Sequence, residues 1–367
     1  MGRDDSEAKN IATYRFGGDF LEAIKGLIAT ARQEILISIY TFSADACGRD
    51  FMRLMGEAAQ RGVHVKIVFD AFGSRHQEYR VLKKLKRLGV EARVFRPFPS
   101  ILFRHPLRFL CRDHARIFLF DRRRLVLGGA GIGKIYQNRE DFSLATNVQG
   151  SAEIVRYFDY LWALAEVPQS DLDPIARWPV DHGSSGAQNL SFMISGPQER
   201  EQEIYRQVLS ACLRAQERIV IMTPFFFPTA ELLAAVVQAR KRGVKVEVIT
   251  PLRTDKPYYD SFRAMPAPIL RTAGAQWWGV RHYFHQKIFI ADDYWTIGSA
   301  NFDVISMKRN YELNIYGKGG GILSLLDTII DEKKNLKNST QKLPSAYFYE
   351  KFSWLIYPCL EFLFALT

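Results

Sequence analysis

The chain has 367 residues, of which 47% are hydrophobic and 13% aromatic, so it is long enough for two domains with ample cores and is not intrinsically disordered. Its four cysteines show no CxxC spacing, which argues against a zinc site and against a disulfide framework. The formal net charge of +11 favours an anionic partner, which could be a phospholipid surface, a nucleic acid or a phosphorylated small molecule.

Helices and strands are predicted to alternate along the first seventy residues. Apolar residues recur at helical spacing from Asp19 to Ala31, and a strand is predicted from Glu34 to Phe42. A second helix around Gly48 to Gln60 leads into another strand from Val63 to Asp70. This order predicts βαβ units, which need a largely parallel sheet with helices packed on it.

The segment from Arg96 to Cys111 mixes arginines with large apolar side chains. Arg104 and Arg108 are four residues apart, so a short helical turn could present a basic face beside an apolar one. A lipid-binding surface at the mouth of a site and a loop that caps the core are equally good interpretations of this composition.

A first candidate site motif follows in the sequence HARIFLFDRRRLVLGGAG. His114 and Arg116 are two residues apart on a predicted strand, so their side chains point to the same face, where they could bind a phosphate. Asp121 closes this strand, and a turn that contains Gly129 and Gly131 follows the next apolar run. Small residues in such a turn let the backbone approach an oxyanion closely.

The two halves of the chain are separated by a region rich in proline, glycine and serine, which we predict to be a linker. We therefore predict a first domain over residues 1–166, a linker over 167–190, a second domain over 191–335 and a basic and aromatic tail over 336–367.

The second half repeats the predicted elements of the first. Helices are predicted over Glu201–Ala215 and Ala230–Lys241, and strands over Arg218–Phe227 and Val244–Thr250. The sequence ARKRGVKVEVIT in this half matches AQRGVHVKIVFD in the first half. Paired features lie about 170 to 184 residues apart, which favours duplication of one unit over a chance similarity of two βαβ units.

The second candidate site motif lies in the sequence YFHQKIFIADDYWTIGSAN. His285 and Lys287 share one face of a predicted strand, Asp292 closes it, and Ser299 and Asn301 belong to a Gly-Ser-x-Asn turn. The turn could bring a hydroxyl and an amide to a phosphate held by the histidine and the lysine. The alternative is a buried strand whose histidine and lysine pair with neighbouring side chains.

The two motifs together resemble the paired signature of the phospholipase D superfamily. The flanking features, among them Asp70-x-x-Gly73-Ser74 and Asn310-x-Glu312, are most similar to those of bacterial cardiolipin synthases of the phospholipase D type. The resemblance implies two α/β domains, with mixed, largely parallel sheets flanked by helices, packed about a pseudo-twofold axis with the two histidines facing one another.

The resemblance also implies a mechanism without a metal or another cofactor. One histidine attacks phosphorus to form a phosphohistidine, while the other protonates the departing alcohol and then deprotonates the incoming one. Order in the chain makes His114 the nucleophile and His285 the acid, and the reverse assignment stays open.

Spacing adds two candidate carboxylates to the site. Asp141 lies 27 residues after His114, and Glu312 lies 27 residues after His285. A carboxylate that binds the far nitrogen of an imidazole orients the ring and fixes its tautomer, so we expect these two residues to orient the histidines.

The remaining motif residues receive roles by the same reasoning. We expect Arg116 and Lys287 to neutralise charge on the phosphoryl oxygens, and Asp121 and Asp292 to brace the turns. Substrate binding is predicted for a further set, namely Ser299, Asn301, Gly129 and Gly131.

The first motif departs from the family pattern, which usually has lysine at position 116 and asparagine at position 131. Loss of a hydrogen bond to a charged group, worth roughly 1.5 to 3 kcal/mol, would weaken this half-site about ten- to a hundredfold. The second motif is one residue shorter between Asp292 and Gly298, and a tight hairpin at Asp292 would absorb the difference.

Membrane contact is predicted for the tail, which ends in YFYEKFSWLIYPCLEFLFALT. Aromatic residues of this kind settle at the depth of lipid headgroups, and we favour this over docking onto the second domain. The chain has no uninterrupted run of about 18 apolar residues, so no bilayer-spanning segment is expected. The first ten residues lack the apolar run of a secretory leader.

These features predict a membrane-associated phosphatidyltransferase of the cardiolipin synthase type, peripheral on the cytoplasmic face of a bacterial inner membrane. The expected partners are phospholipids such as phosphatidylglycerol and an anionic membrane surface, while nucleic acid is not expected to bind. The alternatives are a nuclease or other soluble phosphodiesterase of the same superfamily, and a lipid-binding relative with weakened catalysis.

Overall fold

The computed structural model describes residues 11–74, 78–97, 110–148, 152–166, 191–198, 202–336 and 339–340. The predicted linker, most of the arginine- and phenylalanine-rich segment before the first motif, and nearly all of the predicted tail lie outside these residues. The predictions made for those three segments, and the exact domain boundaries, therefore stay predictions.

The first half forms one seven-stranded sheet. Its strands are β1 (Ile11–Phe16), β2 (Glu34–Ile39), β3 (His64–Asp70), β4 (Glu91–Phe95), β5 (Ile117–Phe120), β6 (Arg124–Gly128) and β7 (Glu140–Asn147). They lie in the order β1-β7-β6-β5-β2-β3-β4. The helices of this half are Gly17–Thr30, Ala46–Gln60, Glu78–Arg87, Lys134–Gln137 and Ala152–Glu166.

The second half forms an eight-stranded sheet and a small two-stranded one. Its strands are β8 (Ser191–Ser195), β9 (Arg218–Met222), β10 (Phe226–Phe227), β11 (Lys245–Pro251), β12 (Gln276–Val280), β13 (Ile288–Ala291), β14 (Tyr294–Gly298), β15 (Phe302–Asp303), β16 (Glu312–Lys318) and β17 (Ser339–Thr340). The larger sheet has the order β17-β12-β11-β9-β13-β14-β16-β8, and β10 pairs with β15. The helices of this half are Glu203–Arg214, Ala230–Lys241, Pro257–Ala264, Pro266–Thr272, Val304–Lys308 and Gly320–Asn335.

The two large sheets share one topology. Each strand of the first sheet has a counterpart of the same position and direction in the second, in the pairs β1 and β8, β2 and β9, β3 and β11, β4 and β12, β5 and β13, β6 and β14, and β7 and β16. Strand β17 is an addition at the edge of the second sheet. A whole matching sheet is far stronger evidence than one repeated sequence match, so the predicted duplication of one unit is confirmed.

The sheets are mixed, as predicted, but parallel pairing is less extensive than expected. In the first sheet only β2–β3 and β3–β4 are parallel, and in the second only β9–β11 and β11–β12. The other pairs of the two large sheets that these strands form are antiparallel, and they include the short hairpins in which β5 pairs with β6 and β13 with β14. The description as largely parallel is therefore corrected to parallel in the βαβ half of each sheet.

Local sequence explains why the matching helices end where they do. The helix Ala46–Gln60 begins after Asp45, whose side chain accepts a hydrogen bond from the backbone of Gly48. It stops before Gly62, which has a φ of +85°, and Gly243 has a φ of +98° after the matching helix in the second half. Glycine adopts this left-handed conformation without strain, so each Arg-Gly pair turns the chain from helix into strand.

Three buried hydrophobic clusters hold the fold together. Two of them lie between one sheet and its own outer helices, and alternate residues of β2, such as Ile35 and Ile37, point into the first of these. Leu36 points the other way, into a third cluster that joins residues of both halves, including Ile288. This shared cluster packs the halves together and so fixes the position of the site between them. Among the described helices, none is long and apolar enough to cross a bilayer.

Candidate active site

Two short backbone bridges join the halves next to the histidines. The N–H of His114 donates to the carbonyl of Tyr311 at 2.9 Å, and the N–H of His285 donates to the carbonyl of Glu140 at 2.7 Å. Tyr311 directly precedes Glu312, and Glu140 directly precedes Asp141. The bridges therefore place a carboxylate from one half beside the histidine of the other.

Each histidine ring is held by the carboxylate of the opposite half. Nδ1 of His114 lies 2.9 Å from an oxygen of Glu312, and Nδ1 of His285 lies 2.9 Å from an oxygen of Asp141. The structure thus brings both predicted carboxylates to the rings, but it crosses them between the halves. With Nδ1 bound in this way, Nε2 is the ring nitrogen left for chemistry.

The two predicted cations have matching positions. The guanidinium of Arg116 donates to the carbonyl of His114 at 2.7 Å and lies 3.2 Å from its Nε2. The ammonium of Lys287 donates to the carbonyl of His285 at 2.6 Å and lies within 3.1 Å of both ring nitrogens. Arginine therefore takes the place of lysine in the first half without moving the positive charge away from its ring.

Glu312 is held by more donors than Asp141. Besides His114, it accepts hydrogen bonds from the hydroxyls of Ser299 and Ser306 and from the amide of Asn310. Sequence reasoning did not identify the role of Ser306, because only the tertiary fold places it beside the carboxylate. Asp141 accepts from its neighbouring backbone N–H at 2.8 Å.

Three residues predicted to bind substrate lie behind the rings instead. Ser299 binds Glu312, and a Cβ atom at the matching position 129 would lie 2.5 Å from the carboxylate of Asp141, so Gly129 makes room for that group. A Cβ atom at Gly131 would lie 2.7 Å from the ring of Tyr136. None of the three lines the cavity, so nothing in the geometry supports their contact with substrate, which stays a prediction.

Asn301 does line the cavity. Its side chain is 95% buried, and its Oδ1 atom has no hydrogen-bond partner among the residues that the structure describes. In the first half the ring of Tyr136 occupies the space that an asparagine at position 131 would need. The half-sites therefore differ, and the amide available to a ligand comes from the second half.

Asp121 and Asp292 lie in the hairpin turns, away from the rings. Both have a positive φ, +51° and +55°, and their carboxylates accept backbone hydrogen bonds at 2.7 to 3.2 Å. The donors are Arg32, Gln33 and Glu34 in the first half and Gln216, Glu217 and Arg218 in the second. These contacts brace each hairpin against the neighbouring strand, and the tight turn at 292–293 absorbs the missing residue of the second motif.

A cavity of about 790 Å³ opens onto both rings. His114, His285, Arg116 and Asn301 are among its polar lining residues, while Lys287 and the two carboxylates lie behind them. Aromatic side chains cover much of the remaining wall, namely Tyr40, Phe225, Phe227, Tyr259 and Phe262. A phosphate and an apolar group can therefore be accommodated together.

Burial shifts the ionisation of the central groups. Burial and the charge of Arg116 lower the pKa of His114 to about 4, and burial with the charge of Lys287 holds the pKa of His285 well below its usual value. Burial lowers the pKa of Lys287 to about 7. Both imidazoles are therefore neutral near pH 7 before an anion enters.

A buried ion pair supports the segment that carries His114, directly before β5. The guanidinium of Arg112 binds the carboxylate of Asp70 at 2.9 to 3.1 Å, and the same carboxylate accepts from the backbone of Asp113. The sequence showed Asp70 only as part of a family resemblance and did not identify its partner. Among the described residues, no group of three or more His, Cys, Asp or Glu side chains is arranged to hold a metal ion.

Residues 24–162 and 208–333 match the family model described as "Cardiolipin synthase, PLD-like domain". The two matched stretches cover well over half of the chain, and each contains most of one sheet. The chain belongs to this PLD-like family. The sequence-based assignment to PLD-like enzymes, made from two short motifs, is thereby confirmed.

Curated PLD-like relatives align with most of the chain. The probable cardiolipin synthase YwiE of Bacillus subtilis (strain 168) is 28% identical over 93% of this chain and 69% of its own length. Cardiolipin synthase B of Salmonella typhi is 26% identical over 84% of this chain and 76% of its own length.

A solved structure shares the PLD-like fold. The phosphatidylserine synthase of Haemophilus influenzae Rd KW20 superposes with a TM-score of 0.73 and covers 98% of this chain and 95% of its own, at 16% sequence identity. At that identity the similarity establishes the fold, which agrees with the prediction of two α/β domains.

Proposed function

We propose that this chain is a phospholipid headgroup transferase that moves a phosphatidyl group between alcohols through a phosphohistidine, and that it makes cardiolipin when the acceptor is phosphatidylglycerol. The observation that carries the proposal is the pair of histidines, each with Nδ1 on a buried carboxylate, that line one cavity. The names of the curated relatives support the class of substrate.

The rings supply the two functions that the reaction needs. Nε2 of one neutral histidine attacks phosphorus, which forms a P–N bond as the P–O bond to the headgroup alcohol breaks. The other histidine, protonated, gives its proton to the departing oxygen. An incoming alcohol then loses its proton to that histidine and attacks phosphorus, which breaks the P–N bond and restores both rings.

The charges of the site fit a phosphodiester. With Lys287 protonated, Arg116 and Lys287 balance Asp141 and Glu312, and the rings are neutral. A bound phosphodiester adds one negative charge beside these groups, which favours the protonated form of Lys287 and the uptake of one proton by a histidine. The substrate thereby helps to create the general acid, and Arg116 and Lys287 stabilise the charge that builds on the phosphoryl oxygens.

The mouth of the cavity favours a lipid over a soluble diester. Phe72 and Ile135 line the cavity, and both are 44% exposed. Large apolar side chains at the rim of a polar site are suited to contact acyl chains at a membrane surface. We therefore propose peripheral binding to an anionic membrane, on the cytoplasmic face of a bacterial inner membrane.

The test uses purified protein and vesicles of phosphatidylglycerol, with and without a chelator, and mass spectrometry of the lipids. Cardiolipin and glycerol are expected in both conditions, and His114→Ala and His285→Ala are each expected to stop turnover. Plasmid DNA and RNA incubated under the same conditions test the nuclease alternative. Cleaved nucleic acid with no lipid product would contradict the proposal.

A further inference from the structure

The wall of the cavity beside His285 contains a further cationic group, in addition to Arg116 and Lys287 of the two half-sites. Lys256 lines the cavity, and its ammonium lies 5.3 Å from the ring centroid of Phe225 and 5.9 Å from that of Tyr259. Phe225 in turn packs edge-on against the ring of His285, with 6.2 Å between centroids. The aromatic rings thus hold a lysine on the His285 wall of the cavity.

Arg139 adds positive charge to the same wall. Its guanidinium lies 5.2 Å from the ring of Tyr283, which is 6.4 Å from the ring of His285, and it forms an ion pair with Asp255 at 2.7 Å. Arg139 and Lys256 both act on one carboxylate, that of Asp255, so this group of three side chains carries two positive charges and one negative charge. The helix Pro257–Ala264 begins directly after Lys256, so the positive end of its dipole adds to the effect.

The wall beside His114 has a different charge distribution. Besides Arg116, the cation on this wall is Arg112, which is 5% exposed and whose guanidinium is bound by Asp70. The ring of His114 packs instead against Tyr40, with 4.9 Å between centroids. Among the residues that the structure describes, the wall of His285 is therefore the one that places an additional cation, Lys256, where it can stabilise a second anion.

Displacement at phosphorus is in line, so the attacking nitrogen and the departing oxygen lie on opposite sides of the phosphorus atom. The departing and the incoming alcohol consequently use the same side, next to the histidine that acts as acid and base. If the acceptor alcohol itself carries a phosphate, the cation that binds this phosphate must lie beside the histidine that acts as acid and base, not beside the nucleophile.

Resting on the proposed function, we infer that Lys256, supported by Arg139, binds the phosphate of the acceptor alcohol. The acceptor is then an alcohol that carries a phosphate ester, such as a glycerophosphate headgroup. Its hydroxyl loses a proton to His285 and forms the new P–O bond as the P–N bond to His114 breaks. The inference requires the roles that the resemblance implies for the rings, with His114 as nucleophile and His285 as acid and base.

Asp303 lies on the same part of the cavity. Burial raises the pKa of Asp303 to about 7, and the charge of Lys256 works against that rise. A carboxyl that is partly protonated near pH 7 repels a second phosphate less than a fully ionised one, and it can exchange hydrogen bonds with the hydroxyls of a glycerol.

The test compares three acceptors with phosphatidylglycerol vesicles as the donor. A second phosphatidylglycerol molecule gives cardiolipin, soluble sn-glycerol 3-phosphate gives phosphatidylglycerophosphate, and deuterated glycerol, which has no phosphate, gives labelled phosphatidylglycerol. Lys256→Gln is expected to lower kcat/KM for phosphate-bearing acceptors about ten- to a hundredfold and to leave exchange with glycerol within about twofold. Lys256→Arg is expected to keep the preference, and Lys241→Gln, on an exposed helical position, is the matched control.

The outcomes separate the inference from the proposed function. Selective loss with phosphatidylglycerol identifies a lipid acceptor, and selective loss with glycerol phosphate identifies a soluble one; either supports the inference. Equal loss with all three acceptors, or no loss with any, overturns it while the transferase activity of the wild type stands. If the wild-type protein transfers a phosphatidyl group to none of them, the proposed function itself fails.

Discussion

Glu312→Gln tests the orientation of His114 with almost no change in side-chain shape. Glu312 is fully buried and accepts hydrogen bonds from four side chains, among them Nδ1 of His114 at 2.9 Å and the hydroxyl of Ser306 at 2.8 Å. Burial works to raise the pKa of Glu312, but the interaction with His114, the hydrogen bond from Ser299 and the charge of Arg116 outweigh it and hold this pKa below its usual value. Glu312 is therefore an acceptor only, and it keeps the proton of His114 on Nδ1.

A glutamine cannot satisfy the same four donors, because one end of its amide is itself a donor. When that NH2 group faces His114, the imidazole must accept a hydrogen bond through Nδ1 and therefore carries its proton on Nε2. A protonated Nε2 has no free electron pair with which to attack phosphorus. The corresponding carboxylate-to-amide change in a Ser-His-Asp triad costs about 10⁴-fold in kcat. We expect a loss of about 10³- to 10⁴-fold in kcat and a small change in KM.

The assay measures initial rates of cardiolipin formation in phosphatidylglycerol vesicles, with the thermal midpoint Tm of each variant recorded in parallel. Glu217→Gln, at an exposed position, serves as the control for loss of a carboxylate and should match the wild type. A folded Glu312→Gln protein whose kcat stays within tenfold of the wild type would refute the reasoning, because His114 would not need the carboxylate to hold its tautomer.

Other measurements test the rest of the site. The pKa of His114 falls from 6.5 to about 4 on folding, so the unfolded state takes up a proton first and the protein loses stability as the pH drops through this range. The loss amounts to about 3 kcal/mol in the free energy of unfolding between pH 7 and pH 4. His114→Gln should remove it, and chemical denaturation at the two pH values measures the difference. Arg116→Lys should keep or raise the transfer rate, because Lys287 already occupies the matching position in the second half. Gly131→Asn should lower Tm without improving the rate, because the ring of Tyr136 fills the space, and a more active variant would show that the ring moves aside. Asp121→Ala should lower the free energy of unfolding by about 1 to 3 kcal/mol, because it leaves backbone donors unpaired and places alanine at a positive φ. Denaturant titration measures this loss.

Much of the candidate site was visible in the sequence because its signals are local. In each half a histidine and a cation two residues apart lead directly into a strand, β5 or β13, and the alternation of an extended backbone puts them on one face. Asp121 and Asp292 were expected to brace the turns for the same reason, since a residue that closes a strand at a tight turn is placed by its neighbours. The duplication was readable because each half repeats the same order of helices, strands and Arg-Gly turns.

The pairing across the halves was decided by the tertiary structure alone. Equal spacing identified Asp141 and Glu312, but only the backbone bridges to Tyr311 and Glu140 decide which ring each carboxylate binds. The sequence could not show that Tyr136 fills the space beside Gly131, or that Lys256 lies on the wall of His285, since these contacts join segments that are remote along the chain. Strand period and turn chemistry act over a few residues and are written in the sequence, whereas the environment of a buried charge depends on packing between elements and exists only once the chain has folded.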